Sequence, residues 1–178
     1  MSTDTQYATF AGGCFWCTEH AFMERPGVIS VTSGYTGGDT DDPTYREVCE
    51  GDTGHAEAVR IEYDPSTTSY AELLDIFWRS IDPTDENGQF ADRGDQYRSA
   101  IFYHSDEQKR EAEASRDAIN ASGRFKNPVA THIEPARVFY PAEAYHQQYC
   151  VKNPVQFRMY HHGSGKSAAL AGLWDDEK

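Results

Sequence analysis

Apolar positions recur along the chain at two different spacings, and these predict the elements. Tyr7 to Ala11 reads as a short strand running into the Gly12-Gly13 turn. Cys14 to Glu24 then reads as a helix, stopped before Pro26-Gly27. Val28 to Tyr35 alternates and is rich in β-branched residues, as a half-buried strand requires. His55 to Tyr63 is the most legible strand. Val59, Ile61 and Tyr63 fall on one face, Arg60 and Glu62 on the other, and Glu57 falls in step with the apolar set. In Ser69 to Ile81 the spacing changes to that of a helix. Tyr70, Leu73, Leu74, Phe77, Trp78 and Ile81 form its apolar stripe, Ser69 and Glu72 form a capping box, and Pro83 ends it.

Gly37 to Pro43 reads as a loop of glycine, aspartate and proline, and Pro83 to Gln96 as a polar loop. A strand is expected at Tyr97 to His104. Ser105 with Gln108 fits another capping box, opening a charged surface helix to about Ala121. Val129 to Tyr140 offers one or two short strands, and the chain after Tyr149 has little periodicity. Strands and helices alternate, but some connections have hairpin length. The expectation is an α+β fold, a two-layer sandwich with a central mixed sheet.

Composition narrows this to one domain over residues 1–178, since 178 residues, 38% hydrophobic, suit a single core. No apolar run approaches the ~18 residues of a membrane span. Met1 to Gln6 is polar, without the apolar segment of a secretory signal, so the expected location is the cytoplasm. A formal net charge of −13 repels phosphate backbones and argues against nucleic acid or anionic membrane as partner. Lysine is outnumbered by arginine. A salt-adapted host could produce such a surface, although an ordinary acidic soluble protein is the plainer reading.

The candidate chemistry lies in Gly12-Gly13-Cys14-Phe15-Trp16-Cys17. Two glycines permit a sharp turn that brings the Cys14 thiol to a helix start, where free N–H groups and the helix dipole favour a thiolate. Cys17 lies in the same first turn, within disulfide reach. Two other readings compete. One is a zinc knuckle, for which no second Cys-x-x-Cys is present; the other is a pair of merely buried cysteines.

These residues resemble the active-site motif of the peptide methionine (S)-sulfoxide reductases of the A type. The likeness continues through Gly34-Tyr35-Thr36-Gly37-Gly38, Pro43 to Cys49, Gly54 to Val59, Gln96-Tyr97-Arg98-Ser99 and His146-Gln147-Gln148-Tyr149. With it comes the expectation of a ferredoxin-like core followed by an irregular C-terminal tail. The resemblance implies that Cys14 attacks the sulfoxide sulfur of methionine sulfoxide and becomes a sulfenic acid, which condenses with a nearby thiol. Cys17, the nearest in sequence, takes the resolving role. Thioredoxin is the implied electron donor, no metal or organic cofactor is needed, and a monomer is expected.

Glu57 is the expected acid. A carboxyl on the apolar face of a strand is desolvated and keeps its proton near neutral pH, so it can give that proton to the leaving oxygen. An edge glutamate on a misphased strand is the alternative. The resemblance adds Tyr45 and Tyr97 as donors to the substrate oxygen and Asp92 as a carboxylate at the pocket. On their own the tyrosines read as packing residues and Asp92 as a loop aspartate. Phe15 and Trp16 look like a hydrophobic pocket for the S-methyl group, with ordinary core packing as the alternative.

The sequence also departs from the family pattern. Lys152-Asn153-Pro154 is present, but the cysteine that many members carry just beyond it is not. Cys17, where many members have glycine, points to the subgroup that resolves within Cys-x-x-Cys. Cys150 reads as a plain buried residue, with a second resolving thiol as the alternative, and Cys49 reads as structural. His161 and His162 read as solvated tail, without metal-ligand spacing around them. Two other functions remain open at this point: a general disulfide oxidoreductase that does not depend on Glu57, and a non-catalytic metal or binding module.

Overall fold

A computed structural model describes residues 4–174. Six strands form one sheet in the order β7-β6-β1-β3-β2-β8. Its centre is β1 (Gln6–Gly12), β2 (Val28–Thr36), β3 (Ala56–Tyr63) and β6 (Ser99–Tyr103), paired antiparallel with one another. β7 (His132–Pro135) joins β6 in parallel and β8 (Tyr140–Pro141) joins β2, so the sheet is mixed. Two-residue strands β4 (Gly88–Gln89) and β5 (Asp92–Arg93) pair separately as a small ribbon. That ribbon lies inside the expected polar loop.

Three helices cover one face of the sheet: α1 (Phe15–Phe22), α3 (Tyr70–Arg79) and α4 (Asp106–Ser122). Their common core is aromatic. Phe10 of β1 stacks on Phe22, Tyr70 and Phe77, with ring centroids 5.5, 6.1 and 4.8 Å away. Burying each such ring contributes roughly 1.5–3 kcal/mol. Val59, Ile61 and Tyr63 of β3 join this core, as their alternation predicts. The opposite face is lined by Ala11, Ala56, Ala58, Ala100 and Phe102, and Ala136 and Phe139 lie against it.

The caps account for the helix starts. Ser69 and Glu72 close the expected capping box on α3. On α4 only half of the expected box forms. Ser105 accepts from the Gln108 N–H, but the Gln108 side chain accepts from His104 and donates to the Tyr7 carbonyl, tying α4 to β1. Thr44 and Glu47 form a full box that opens α2 (Tyr45–Glu50), a helix the periodicity does not predict. Tyr97 lies in a 3-10 turn, Asp95–Tyr97, ahead of β6 and not within the strand. Gly94, at φ 128, redirects the chain before that turn.

The irregular tail is the main correction. After Tyr149 the chain forms α5 (Tyr149–Lys152), α6 (Pro154–Gly163) and α7 (Lys166–Trp174). Pro154 occupies a favourable first helical position. These helices are anchored at few points and not by a continuous stripe. Phe157 is buried, and Trp174 donates to the Ile81 carbonyl at 2.9 Å. His161 is likewise not solvated: it packs on Phe157 and shares a 2.6 Å hydrogen bond with Ser167, whereas His162 is exposed. Among the described residues no helix is long and apolar enough to cross a membrane.

Candidate active site

The Gly12-Gly13 turn carries the chain from the end of β1 into α1. Gly13 has φ +85, and a side chain there would meet Gln89 Cβ at 2.8 Å. Gln89, itself buried, is fixed by two 2.8 Å bonds to the backbone of Asp82. Cys14 caps α1, and its carbonyl accepts from the amides of Cys17 and Thr18. The Cys14 side chain is 8% exposed and Cys17 is 5% exposed.

β3 supplies the acid. Glu57 is 1% exposed, in step with Val59 and Ile61 as the alternation predicts. Its Oε1 accepts from the Phe15 amide at 3.2 Å, whereas buried Oε2 has no protein partner. Burial pushes its pKa up to about 8, the Phe15 N–H opposes this, and the charges of Asp92 and Cys17 add to it. The group is therefore a neutral carboxylic acid at pH 7 with a free oxygen.

Around this acid stand the phenols. Tyr45 and Tyr97 are half-buried, and both are pushed above the ordinary phenol range by burial first and by the charge of Glu57 second. Asp92, on β5, accepts a short hydrogen bond from Tyr160 of α6. Tyr160 stands edge-on to Trp16 at 5.8 Å. The structure thus brings together Cys14, Cys17, Glu57, Tyr45, Tyr97 and Asp92, drawn from α1, β3, α2, the 3-10 turn and the small ribbon.

The aromatic pair divides in two. Phe15 is 1% exposed and enclosed by Tyr35, Tyr45 and His146. Trp16 is half-buried, stacked on Tyr149 at 3.8 Å, and its Nε1–H donates to His146 Nδ1 at 3.0 Å. With Nδ1 accepting, the Nε2 of neutral His146 carries the proton, and it is buried without a protein partner. Burial holds the His146 pKa below its ordinary value. His146, Tyr149 and Tyr160 are site residues that sequence reasoning did not assign. The His146 to Tyr149 block was the available signal for two of them, and Tyr160 had none.

Two cysteine readings change. A helix start was expected to favour a Cys14 thiolate. Instead burial, donation of the thiol proton to Cys17 and the charge of Glu57 push the Cys14 pKa well up. The acceptor, Cys17, is lowered by that same hydrogen bond, with the Lys166 ammonium helping. Cys49 is exposed on α2, within hydrogen-bonding reach of the Tyr45 side chain, and so does not fill the core. Cys150 is half-buried with its Sγ 3.6 Å from Met23 Sδ, at a cavity of about 560 Å³ that also includes His20 and Phe157. That cavity includes neither Cys14 nor Glu57.

The peptide methionine sulfoxide reductase family model matches residues 6–178. The chain belongs to this family. It is 52% identical to the peptide methionine sulfoxide reductase MsrA of Bacillus pumilus over 99% of both chains. Mxr1 of Saccharomyces cerevisiae in reduced form superposes with a TM-score of 0.79 at 39% identity, covering 85% of this chain and 87% of that one. The same yeast protein in complex with Trx2 matches at 0.58 and 27% identity, over 84% and 89%. Among the described residues no group of three or more His, Cys, Asp and Glu side chains is placed to hold a metal ion.

Proposed function

We propose that this enzyme reduces methionine S-sulfoxide, free or in proteins, to methionine, with Cys14 as nucleophile, Glu57 as acid and Cys17 as resolving thiol. The observation that carries the reading is the unpartnered, buried Oε2 of a carboxyl that is still protonated at pH 7, beside the Cys14 turn.

Glu57 donates its proton to the sulfoxide oxygen while Cys14 Sγ attacks the sulfur, and the thiol proton of Cys14 passes to the carboxylate left behind. The hydroxyl then passes from the methionine sulfur to Cys14 Sγ as the bond between the two sulfurs breaks, so methionine departs, Cys14 is left as a sulfenic acid, and Glu57 ends as it began. Positioned acid catalysis of this kind is worth ~10²–10⁴ in rate. Tyr45 and Tyr97, kept as phenols, donate to the oxygen as it gains charge. Trp16, backed by Phe15, receives the S-methyl group.

Cys17 then displaces the hydroxyl of the Cys14 sulfenic acid, forming a disulfide and water. A dithiol protein reductant opens that disulfide. Thioredoxin fits this role, in keeping with the complex formed by yeast Mxr1 and Trx2. The dithiol chemistry fits the reducing cytoplasm. A general disulfide oxidoreductase would need neither Glu57 nor the phenols.

The test is to supply each sulfoxide epimer, free and in a peptide, with thioredoxin as reductant. Wild type should consume the S epimer, and Cys14→Ser should fall to the uncatalysed rate. Disulfide exchange without sulfoxide turnover would refute the proposal.

A further inference from the structure

Lys166 opens α7 and is 5% exposed. Its Nζ lies 3.5 Å from the carbonyl oxygen of Gly12, two residues before Cys14, and 5.8 Å above the ring of Phe90. Neither contact carries a negative charge. A buried ammonium held by a carbonyl dipole and a ring is costly unless an anion forms nearby. Cys17 is placed to be that anion. Cys17 and Lys166 line the same groove of about 320 Å³, between α1, α3 and the C-terminal helices. Of the residues that handle the thiols and the sulfoxide, Cys17 lines this groove, whereas Cys14, Glu57, Tyr45 and Tyr97 do not.

We propose that Lys166 is a positioning residue for the second half of the reaction: its ammonium holds Cys17 as a thiolate ready to attack the Cys14 sulfenic acid. This rests on the reading of Cys17 as the resolving thiol. In the step, the Cys17 sulfur gives its electron pair to the Cys14 sulfur. The S–S bond forms, the S–O bond breaks, and the hydroxide leaves as water with the proton of Glu57. The two electrons come from Cys17, so Cys14 is reduced as Cys17 is oxidised.

The surroundings of Cys17 support a local cation effect. The hydrogen bond that Cys14 donates lowers the Cys17 pKa most, burial opposes it, the Lys166 ammonium lowers it further, and the charge of Asp92 on β5 raises it. The groove's other ionisable groups are His20 of α1, Arg25 just beyond that helix, Asp75 and Arg79 of α3, and His161 of α6. Lys166 is the one of these that acts directly on the Cys17 titration. The assignment also explains why resolution would run through Cys17 and not Cys150, whose pKa is raised by burial and by the charge of Glu19.

The test reads the thiol itself. In Cys14→Ser protein, the pH dependence of Cys17 alkylation by iodoacetamide is followed on the Cys17 peptide by mass spectrometry. Lys166→Met should move the midpoint up by about one unit or more, and Lys166→Arg should restore it. Lys166→Gln keeps a donor for the Gly12 carbonyl but no charge, and should behave as Met does; a wild-type midpoint in Lys166→Gln would overturn the proposal. With Cys14 present and one equivalent of sulfoxide, Lys166→Met should slow disulfide formation tenfold or more relative to methionine release. Dimedone should then trap the longer-lived sulfenic acid. A midpoint shift alongside normal recycling by Cys17→Ser would refute the resolving role of Cys17 and leave its coupling to Lys166 standing. An unchanged midpoint in all three variants refutes the coupling.

Discussion

Cys14 and Cys17 lie in one turn of α1, are nearly equally buried, and are pushed in opposite directions. Cys14 lies within reach of the charge of Glu57, and Tyr97 in turn lies within reach of Cys14. Cys17 faces the ammonium of Lys166 and accepts the hydrogen bond that Cys14 donates. The contrast shows that burial alone does not decide the titration of a thiol: which of the two donates the S–H hydrogen bond separates them first, and the nearby charges add to it. The carboxyl side can hold a proton for the sulfoxide oxygen, and the other side can hold a thiolate for the sulfenic acid that results.

The sharpest way to break this comparison is to remove the acid. Glu57→Gln should lower the rate of methionine release by about 10²–10⁴ in single-turnover measurements. Wild type should lose that rate as pH rises through about 8, where Glu57 gives up its proton, and the variant should lack this limb. Stability follows the same group. Its folded pKa lies above the ordinary value of 4.5, so the folded state binds the extra proton, and its contribution is fully present below pH 4.5 and lost as pH rises through about 8. Thermal melts at pH 9 should therefore favour Glu57→Gln over wild type, by on the order of 3–5 kcal/mol at most.

The phenols come next. Tyr45→Phe or Tyr97→Phe should each cost about tenfold in the reductive step, the worth of one hydrogen bond to a developing charge. A loss at one position only would assign the contact to that hydroxyl. The smallest effect is expected at Cys150. Cys150→Ser should leave multiple turnover with thioredoxin within twofold of wild type, because its sulfur rests on Met23 at a cavity that includes neither active-site thiol nor Glu57. A collapse to one turnover would transfer the resolving role to it.

The alternation of β3 is enough to find Glu57, because a strand buried on both faces still separates its two sets of side chains by phase. The spacing of α3 and its Ser69 cap were equally plain. α2 was not, although Thr44-Tyr45-Arg46-Glu47 carries the cap signature, because six residues leave no room for an apolar stripe. The C-terminal helices escaped for a related reason: they dock through single side chains such as Phe157 and Trp174. Tyr160 and Lys166 reach the site only through those helices. No local spacing relates them to Asp92 or Cys17, more than 60 residues away in the chain. The direction of the Cys14 shift was hidden for the same reason, since helix-start electrostatics are local, whereas the burial that chiefly raises it and the Glu57 charge that adds to it depend on elements distant in the chain.

The most direct test of the division between the two thiols is single turnover of Cys17→Ser with the S-sulfoxide, in the absence of reductant. The account predicts one methionine released per enzyme at close to the wild-type rate, with Cys14 left as a sulfenic acid that dimedone traps. Continued turnover with thioredoxin at the wild-type rate, or a disulfide between Cys14 and another cysteine, would contradict it.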